Sequence, residues 1–361
     1  MLVTLFRRHL IYALAVIFLH ISLTGCQHTN HPRRLVPATD QSINYVGRFD
    51  FTNPEMPRFM YSGCTISAGF TGTSVAIKLM DDSLRNWFTV NLDDSLFTFE
   101  SNDSSGFYQL AEHLPDTVHR ISITRRTEWH GGNTSFAGFV LDQGKGLLLI
   151  PKLSRTLEFI GNSLTCGYGN EGESRKSHFE YRTENGYLAY GAIVARALNA
   201  NYVAICRSGI GMYQSYGGDR DFVQPKLYDE IVVGSGARWN YRDNPPDVVV
   251  IELGANDLVK PLDSVLFVDA YVNFVKKLRT QYPEADIICA SGPTLPGDNT
   301  LTFQTYVQAV YAQFAAIDKR IHYFHFGTID ANGSDWHPNL EEHQQMADAL
   351  LPFIKRLKNW Q

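Results

Sequence analysis

Four polar segments of the sequence contain residues that could hydrolyse an ester, and they include Ser163, Gly209, Asn256 and His337. A serine hydroxyl is a weak nucleophile until a base takes its proton, and His337 can act first as that base and then as an acid. The tetrahedral oxyanion that follows attack needs hydrogen-bond donors already directed at it. The backbone N–H groups of Ser163 and Gly209 and the side-chain amide of Asn256 could supply them. These residues predict a serine hydrolase.

Other residues in the same segments have less certain roles. Asp335 lies two residues before His337 and could orient its imidazole ring as the acid of a catalytic triad, or it could be a solvated loop residue. Aromatic rings combine apolar area with a polar edge, so three of them could bind a sugar: Tyr213, Tyr216 and Trp336. Packing in the core explains these three nearly as well.

The elements that must position these residues are recognisable after Pro151. Near-continuous apolar segments alternate with helices that have one apolar stripe, which is typical of a parallel sheet covered on both faces. The predicted strands are Leu157–Ile160, Tyr202–Cys206, Val248–Leu253, Asp286–Ala290 and His322–Phe326. In such sheets ligands bind beyond the carboxyl ends of the strands, where the polar segments begin. We therefore expect the segments to meet at one edge of the sheet.

Residues 45–150 follow a different pattern. Apolar residues alternate with polar ones, as at Val75, Ile77 and Leu79, and turn residues interrupt the alternation. This pattern predicts about eight antiparallel strands in an all-β, jelly-roll-like sandwich. The fold class is therefore a β-sandwich over residues 45–150 followed by a three-layer α/β domain with a parallel sheet over residues 151–361.

The N-terminus has the features of an export signal. Arg7 and Arg8 precede an apolar run over residues 10–23, and the segment ends in Leu-Thr-Gly-Cys at Cys26. It resembles a bacterial lipoprotein leader, which implies cleavage after residue 25, acylation of Cys26 and attachment to the outer membrane or cell surface, with the periplasm as an alternative. An uncleaved anchor would need about 20 apolar residues. Residues 26–44 are predicted to form a tether.

Composition excludes several classes of protein. Of the 361 residues 44 % are hydrophobic and 19 % charged, which favours a folded chain, and the net charge of −5 without a basic cluster disfavours nucleic-acid binding. We expect a monomer. Neither a C-x-x-C nor an H-E-x-x-H motif is present, so no metal or other cofactor is expected. Cys166 and Cys206 could form a disulfide or remain buried thiols.

The four segments resemble those of the SGNH hydrolases, also called GDSL hydrolases. Three stretches are similar to carbohydrate esterase family 2, namely residues 159–170, 208–213 and 335–338. The resemblance implies a small β-sandwich before the hydrolase domain over nearly all of residues 45–361. It also implies that the substrate is an acetylated polysaccharide or oligosaccharide, with a preference for the O6 acetyl of hexose units.

The sequence departs from the superfamily pattern at two positions. Asn162 stands before Ser163 where the superfamily has Asp, and Ser334 stands three residues before His337 where the triad Asp is usual. Some members of carbohydrate esterase family 2 orient the histidine through a backbone carbonyl, so the resemblance leaves the role of Asp335 open. The Gly-x-Ser-x-Gly motif of ordinary α/β-hydrolases is absent, because Thr165 occupies its last position.

Two other functions fit the same residues. The first is an SGNH lipase or thioesterase, which would favour long acyl chains over acetate. The second is a glycan-binding surface lipoprotein whose hydrolase domain has lost its activity. The retention of Ser163, Gly209, Asn256 and His337 argues against the second.

Overall fold

A computed structural model describes residues 32–293 and 299–361 of the protein. The predicted leader, Cys26 and the first part of the predicted tether lie outside the described residues. Within the described ranges, no helix combines the length and the apolar character needed to cross a membrane.

The N-terminal part is a sandwich of two antiparallel sheets. The first sheet contains β1 (Arg33–Pro37), β3 (Arg58–Phe59), β5 (Val75–Asp81), β8 (Phe107–Ala111) and β10 (Thr134–Asp142). Its order is β1-β10-β5-β8, and β3 also pairs with β10. The second contains β2 (Asn44–Val46), β4 (Thr65–Gly72), β6 (Trp87–Leu92), β7 (Ser95–Glu100), β9 (Thr117–Arg125) and β11 (Leu147–Leu148). Its order is β11-β4-β9-β6-β7, and β2 also pairs with β4.

The alternating residues predicted for the sandwich lie in its core, where Val75, Ile77 and Leu79 are all buried. Nine whole strands, β3 to β11, and most of β2 lie within residues 45–150, compared with the expected number of about eight. The additional strands include β2, β3 and β11, which have only two or three residues and therefore show no alternation in the sequence.

The tether prediction is wrong for residues 33–37. These residues form β1, which pairs antiparallel with β10 from Arg33 opposite Asp142 to Pro37 opposite Gly138. Of the five residues only Val36 is buried, so β1 lacks the alternating pattern by which strands are recognised. An edge strand also tolerates a terminal proline, because the missing N–H is not needed by a second neighbour.

The C-terminal part contains a five-stranded parallel sheet, as predicted. Its strands are β12 (Arg155–Gly161), β13 (Ala200–Cys206), β14 (Val248–Glu252), β15 (Asp286–Ser291) and β16 (Ile321–His325). They are arranged in the order β13-β12-β14-β15-β16. All five predicted strands are present with ends within two residues of the expected ones, because strands buried on both faces form short apolar runs.

Helices cover both faces of this sheet. They are α1 (Ser163–Cys166), α2 (Tyr190–Ala197), α3 (Gln224–Leu227), α4 (Ser264–Gln281), α5 (Asn299–Ala312) and α6 (Leu340–Lys358). On one face α2 and α6 pack on side chains such as Phe159 and Val250. On the other face α4 and α5 pack on side chains such as Ile160 and Ile251, and this core is continuous with that of the sandwich. The three-layer α/β domain is thus built as predicted.

Candidate active site

Ser163 lies at the carboxyl end of the central part of the sheet. It is the first residue of α1, directly after β12, and the side chain of Asn162 caps the helix by accepting a hydrogen bond from the N–H of Leu164 at 3.0 Å. Gly161 permits this tight turn, because a Cβ atom there would lie 2.0 Å from Oγ1 of Thr165. The turn holds Ser163 in a fixed place at the edge of the sheet.

His337 reaches Ser163 from the last loop of the fold. It follows a short 3-10 helix (Ser334–Trp336) and precedes α6, whose start is fixed by a capping box between Asn339 and Glu342. Its Nε2 atom lies 2.9 Å from Oγ of Ser163, although 174 positions separate the two residues. The structure therefore brings together the predicted nucleophile and the predicted base.

The surroundings of the imidazole ring determine which nitrogen carries the proton. Nδ1 lies 3.0 Å from the backbone oxygen of Asp335 and 3.2 Å from that of Ser334. Carbonyl oxygens only accept hydrogen bonds, so Nδ1 carries the hydrogen and Nε2 presents its lone pair to Ser163. Burial lowers the pKa of His337 below its ordinary value, despite the opposing effect of the two carbonyls. A neutral ring of this kind can act as a base at neutral pH.

The carboxylate of Asp335 does not orient His337, contrary to one of the two alternatives from the sequence. Within the described part of the chain its donors are the hydroxyl of Tyr168 at 3.0 Å, the N–H of Phe179 at 2.9 Å and Nδ1 of His178 at 3.1 Å. Asp335 lies two residues before His337 and has a left-handed backbone conformation (φ +50°). In this conformation its carbonyl oxygen, and not its carboxylate, faces the imidazole of His337.

Tyr168 is a site residue that the sequence reasoning did not single out. Its ring lies 4.3 Å from the ring of His337 and stacks on Phe179 at 4.4 Å, while its hydroxyl donates to Asp335. These contacts restrain both the ring of His337 and the loop that supplies the two carbonyls. The signal was available, since Tyr168 is an aromatic residue five positions after Ser163, within a stretch already used for the resemblance.

The predicted oxyanion donors lie on loops next to this pair. Gly209 has a φ of +78°, which only glycine adopts without strain, and a Cβ atom there would meet nothing closer than 3.6 Å. Its conformation, and not a lack of space, requires glycine. The N–H groups of Ser163 and Gly209 have no acceptor within residues 32–293 or 299–361. Asn256 donates one amide hydrogen to the carbonyl of Ile210 at 2.8 Å, and its other amide hydrogen has no acceptor among the described residues.

Asp257 fixes the rest of the loop that follows β13. Its carboxylate accepts hydrogen bonds from the backbone N–H groups of Met212, Tyr213 and Gln214 at 2.7 to 2.9 Å. Burial raises the pKa of Asp257 to about 6, although these three bonds act to lower it. The adjacent Asn256 and Asp257 thus hold Ile210 and residues 212–214 of this loop.

The three aromatic residues predicted to bind sugar have different surroundings. Tyr216 is 67 % exposed, and its N–H donates to the carbonyl of Gly209 at 2.8 Å. Trp336 is 60 % exposed and lies under the guanidinium group of Arg175 at 4.7 Å. Tyr213 instead lines a pocket of about 440 Å³ between its loop and α4, with none of the predicted catalytic residues in the lining. This placement does not fit the prediction for Tyr213.

Within the described residues, one group of side chains has the chemical types of metal ligands in close proximity. Glu128, Cys166 and Glu184 are fully buried, and their ligand atoms lie within 4.8 Å of one another. Burial and the neighbouring Glu128 raise the pKa of Glu184 well above its usual range. Cys166 and Cys206 are both buried free thiols.

Comparisons with known proteins agree with this geometry. The carbohydrate esterase 2 N-terminal family model matches residues 45–151, and the GDSL-like lipase/acylhydrolase family model matches residues 159–350. A cellulase/esterase, CelE, from Acetivibrio thermocellus is 37 % identical over 325 residues, which cover 88 % of this chain. A solved family two carbohydrate esterase from Clostridium thermocellum is 36 % identical, with 99 % of that chain covered and a TM-score of 0.85. The chain belongs to carbohydrate esterase family 2. It is therefore a carboxylic ester hydrolase, and it spans only 40 % of the length of CelE.

Other relatives match over nearly their whole length. An acetylxylan esterase/glucomannan deacetylase from Cellvibrio japonicus is 26 % identical, with 94 % of this chain and 96 % of that protein covered. A solved structure of the Clostridium thermocellum family 2 esterase in complex with cellohexaose has a TM-score of 0.85 and 36 % identity, covering 88 % of this chain and all of that one. A Cellvibrio japonicus structure, 24 % identical over 91 % of this chain and 99 % of its own, also has a TM-score of 0.85 and supports the fold.

Proposed function

We propose that this esterase removes O-acetyl groups from a polysaccharide or oligosaccharide through an acyl-enzyme at Ser163. The observation that carries the proposal is the 2.9 Å contact between Oγ of Ser163 and Nε2 of His337, whose other nitrogen donates to backbone carbonyls. The hydroxyl of Ser163 therefore faces an unprotonated Nε2 of His337, which is the arrangement that the reaction requires.

The reaction follows from these positions. Oγ of Ser163 attacks the acetyl carbon while its proton passes to Nε2 of His337. The oxyanion accepts hydrogen bonds from the N–H groups of Ser163 and Gly209 and from the amide of Asn256. As the intermediate collapses, His337 returns the proton to the departing sugar oxygen. Water then attacks the acetyl-enzyme with His337 again as base, which releases acetate and regenerates the serine.

The choice of substrate rests on the relatives and on the surface beside Ser163. Relatives from Cellvibrio japonicus carry the names acetylxylan esterase and glucomannan deacetylase, and the Clostridium thermocellum esterase was solved with cellohexaose. In this chain the exposed rings of Tyr216 and Trp336 flank loops that hold the oxyanion donors and His337. We propose that these rings bind the sugar and that the preferred ester is the 6-O-acetyl group of hexose units.

Replacement of the nucleophile tests the reaction. Ser163→Ala is expected to abolish release of acetate from acetylated glucomannan and from a chromogenic acetate, and also to abolish covalent labelling by a fluorophosphonate. Circular dichroism and thermal unfolding of the variant serve as the control for folding. Undiminished turnover in this variant would exclude Ser163 as the nucleophile.

A panel of esters tests the substrate. Hexoses acetylated at single positions should release acetate fastest from O6, and acetate esters should be hydrolysed faster than octanoate esters of the same alcohol. A preference for octanoate would favour the lipase or thioesterase alternative instead. Sugar binding without hydrolysis of any ester would favour the glycan-binding alternative.

We further propose that the protein is exported as a lipoprotein acylated at Cys26 and acts as a monomer at the outer membrane or cell surface. The support is the leader-like sequence over residues 1–26. Cys26→Ala should abolish incorporation of labelled fatty acid and release the protein from the membrane fraction. Unchanged labelling would contradict acylation at this position, and light scattering of the protein without its leader measures its mass in solution.

A further inference from the structure

One loop of the β-sandwich reaches the catalytic end of the hydrolase sheet. It contains Glu128 and a short 3-10 helix (Trp129–Gly131). The side chain of Glu128 is fully buried, and its Oε2 atom accepts a hydrogen bond from the backbone N–H of Ser208 at 2.7 Å. Ser208 directly precedes Gly209. A carboxylate of the first domain thus binds the residue next to a proposed oxyanion donor of the second domain.

Glu128 has two further polar contacts. Oε1 of its carboxylate lies 3.3 Å from Nδ1 of His130, and its backbone N–H donates to Oε2 of Glu184 at 3.1 Å. Burial acts to raise the pKa of Glu128, but the nearby His130 and the hydrogen bond from Ser208 outweigh it and keep the pKa below its usual value. Glu128 is therefore an anion, and hydrogen bonds to a charged acceptor are stronger and shorter than neutral ones.

The same sandwich loop also holds the residue before Ser208. The guanidinium group of Arg207 lies 4.2 Å from the ring of Trp129 and 4.0 Å from that of Phe222, and its Nε is 3.3 Å from Nε2 of His130. Trp129 and Phe222 stack with 5.4 Å between their centroids. Arg207 is thereby restrained by contacts with both domains.

Residues of both domains therefore hold the loop that follows β13 and contains Gly209. Asp257, in the hydrolase domain, holds residues 212–214, whereas the sandwich holds Arg207 and Ser208, directly before Gly209. We propose that Glu128 is a positioning residue that sets the direction of the Gly209 N–H toward the oxyanion. The inference rests on the proposed function, because it requires that Gly209 stabilise a tetrahedral intermediate.

The expected effect of losing this contact is a loss of transition-state stabilisation. Removing an oxyanion donor lowers kcat by about 100-fold to 1,000-fold, and a displaced donor costs less than a missing one. A displaced Gly209 N–H should therefore lower kcat by about 10-fold to 100-fold while KM changes little, since the ground-state ester hardly uses it.

Two substitutions separate geometry from charge. Glu128→Asp keeps the charge but shortens the side chain by one methylene, so the carboxylate no longer reaches the N–H of Ser208. Glu128→Gln keeps the length and an acceptor oxygen but removes the charge. If Glu128 acts by position, Glu128→Asp should lower kcat by about 10-fold to 100-fold and Glu128→Gln should recover most of it.

A second readout separates positioning from folding. Methylboronic acid forms a tetrahedral adduct with a serine hydroxyl, and one of its oxygens occupies the place of the oxyanion. Its inhibition constant should rise in Glu128→Asp by the same factor as kcat falls. The control is Glu158→Gln. Glu158 is buried in the middle of β12, near the charge of Arg48 and hydrogen-bonded to Tyr228, and it contacts none of the proposed catalytic residues in the described part of the chain. This variant should change the thermal midpoint and leave kcat per labelled serine unchanged.

All assays use the whole chain without its leader, and Ser163→Ala is measured alongside the other variants. The concentration of active enzyme is the amount of serine that a fluorophosphonate labels, and kcat is calculated from it. Wild-type kcat and inhibition constant in Glu128→Asp would overturn the positioning role. A larger loss in Glu128→Gln than in Glu128→Asp would overturn it as well, because charge and not position would then matter. Activity that persists in Ser163→Ala would instead overturn the proposed function, so the two failures are distinguishable.

Discussion

Asp335→Asn should leave most of the activity intact. In the structure Nδ1 of His337 donates to the backbone oxygens of Ser334 and Asp335, and a side-chain substitution preserves both acceptors. The carboxylate of Asp335 serves a different set of donors, on residues 168 to 179. The substitution therefore removes a charge near the active site without removing the groups that orient the base.

The size of the effect separates this arrangement from a triad. Where the carboxylate binds the histidine directly, replacement of Asp by Asn lowers kcat by about 10,000-fold, or about 5.4 kcal/mol of transition-state stabilisation. Here Asp335→Asn removes only the electrostatic effect of a nearby negative charge on His337. That effect is weakened by water, because the side chain of Asp335 is 33 % exposed. We expect kcat to fall by less than about 10-fold, which corresponds to less than about 1.4 kcal/mol.

The same substitution should affect pH dependence and stability. The carboxylate of Asp335 acts to raise the pKa of His337, so its loss lowers that pKa further and moves the acid limb of kcat/KM to lower pH. The asparagine amide oxygen can still accept from Tyr168 and Phe179, but these hydrogen bonds lose the charge of their acceptor. Hydrogen bonds to a charged group contribute about 1 kcal/mol more than neutral ones, so the thermal midpoint should fall.

The assay measures kcat and KM of the wild-type protein and Asp335→Asn on a chromogenic acetate from about pH 4.5 to about pH 9, with His337→Ala as the inactive reference. The reasoning would be refuted by a loss of about 1,000-fold or more at every pH in a variant that remains folded. That result would mean that the carboxylate turns to His337 in the reacting enzyme.

Three further substitutions have clear expectations. Burial lowers the pKa of His343 to about 3, so the free energy of unfolding should fall by about 1.4 kcal/mol per pH unit as the pH drops from 6.5 toward 3. His343→Gln keeps an acceptor for the N–H of Tyr190 and should reduce this pH dependence, as measured by urea unfolding. An equal pH dependence in both proteins would contradict this. Asn162→Asp would place a second carboxyl beside Glu252, whose pKa burial raises to about 8, and should lower the thermal midpoint. Adding Glu252→Gln should restore the midpoint; a double variant that shows only the sum of the two single effects would contradict this. Gly209→Ala should lower the thermal midpoint through about 1 to 2 kcal/mol of strain at φ +78° and lower kcat; a wild-type kcat would exclude the proposed oxyanion role.

The parts of the fold that could be predicted are those with a local pattern. Buried parallel strands are short apolar runs, and the polar residues that follow them must meet at one edge, which is why Ser163 and His337 could be paired across 174 positions. Spacing alone was a weaker guide on α4. The apolar spacing of Val265, Val268 and Val272 predicts a buried stripe that begins at Val265. Val265 is nevertheless 63 % exposed, while Phe267 and Phe274 are buried.

The features that could not be predicted depend on contacts between distant residues. Strand β1 is defined by its partner β10, and the direction of the Asp335 carboxylate depends on Tyr168 and on a positive φ. Glu128 has no motif and lies 80 positions before Ser208, in another domain. Only a three-dimensional structure shows that these residues meet.

The continuous core beneath the sandwich and the sheet sets a limit on protein engineering. Residues 33–361 must be kept together when this catalytic unit is fused to another enzyme or shortened. A cut near Pro151 would expose apolar side chains such as Val203 and would remove Glu128, the partner of Ser208. Shuffling of such units between glycan-degrading fusions should therefore succeed with the pair and fail with either half.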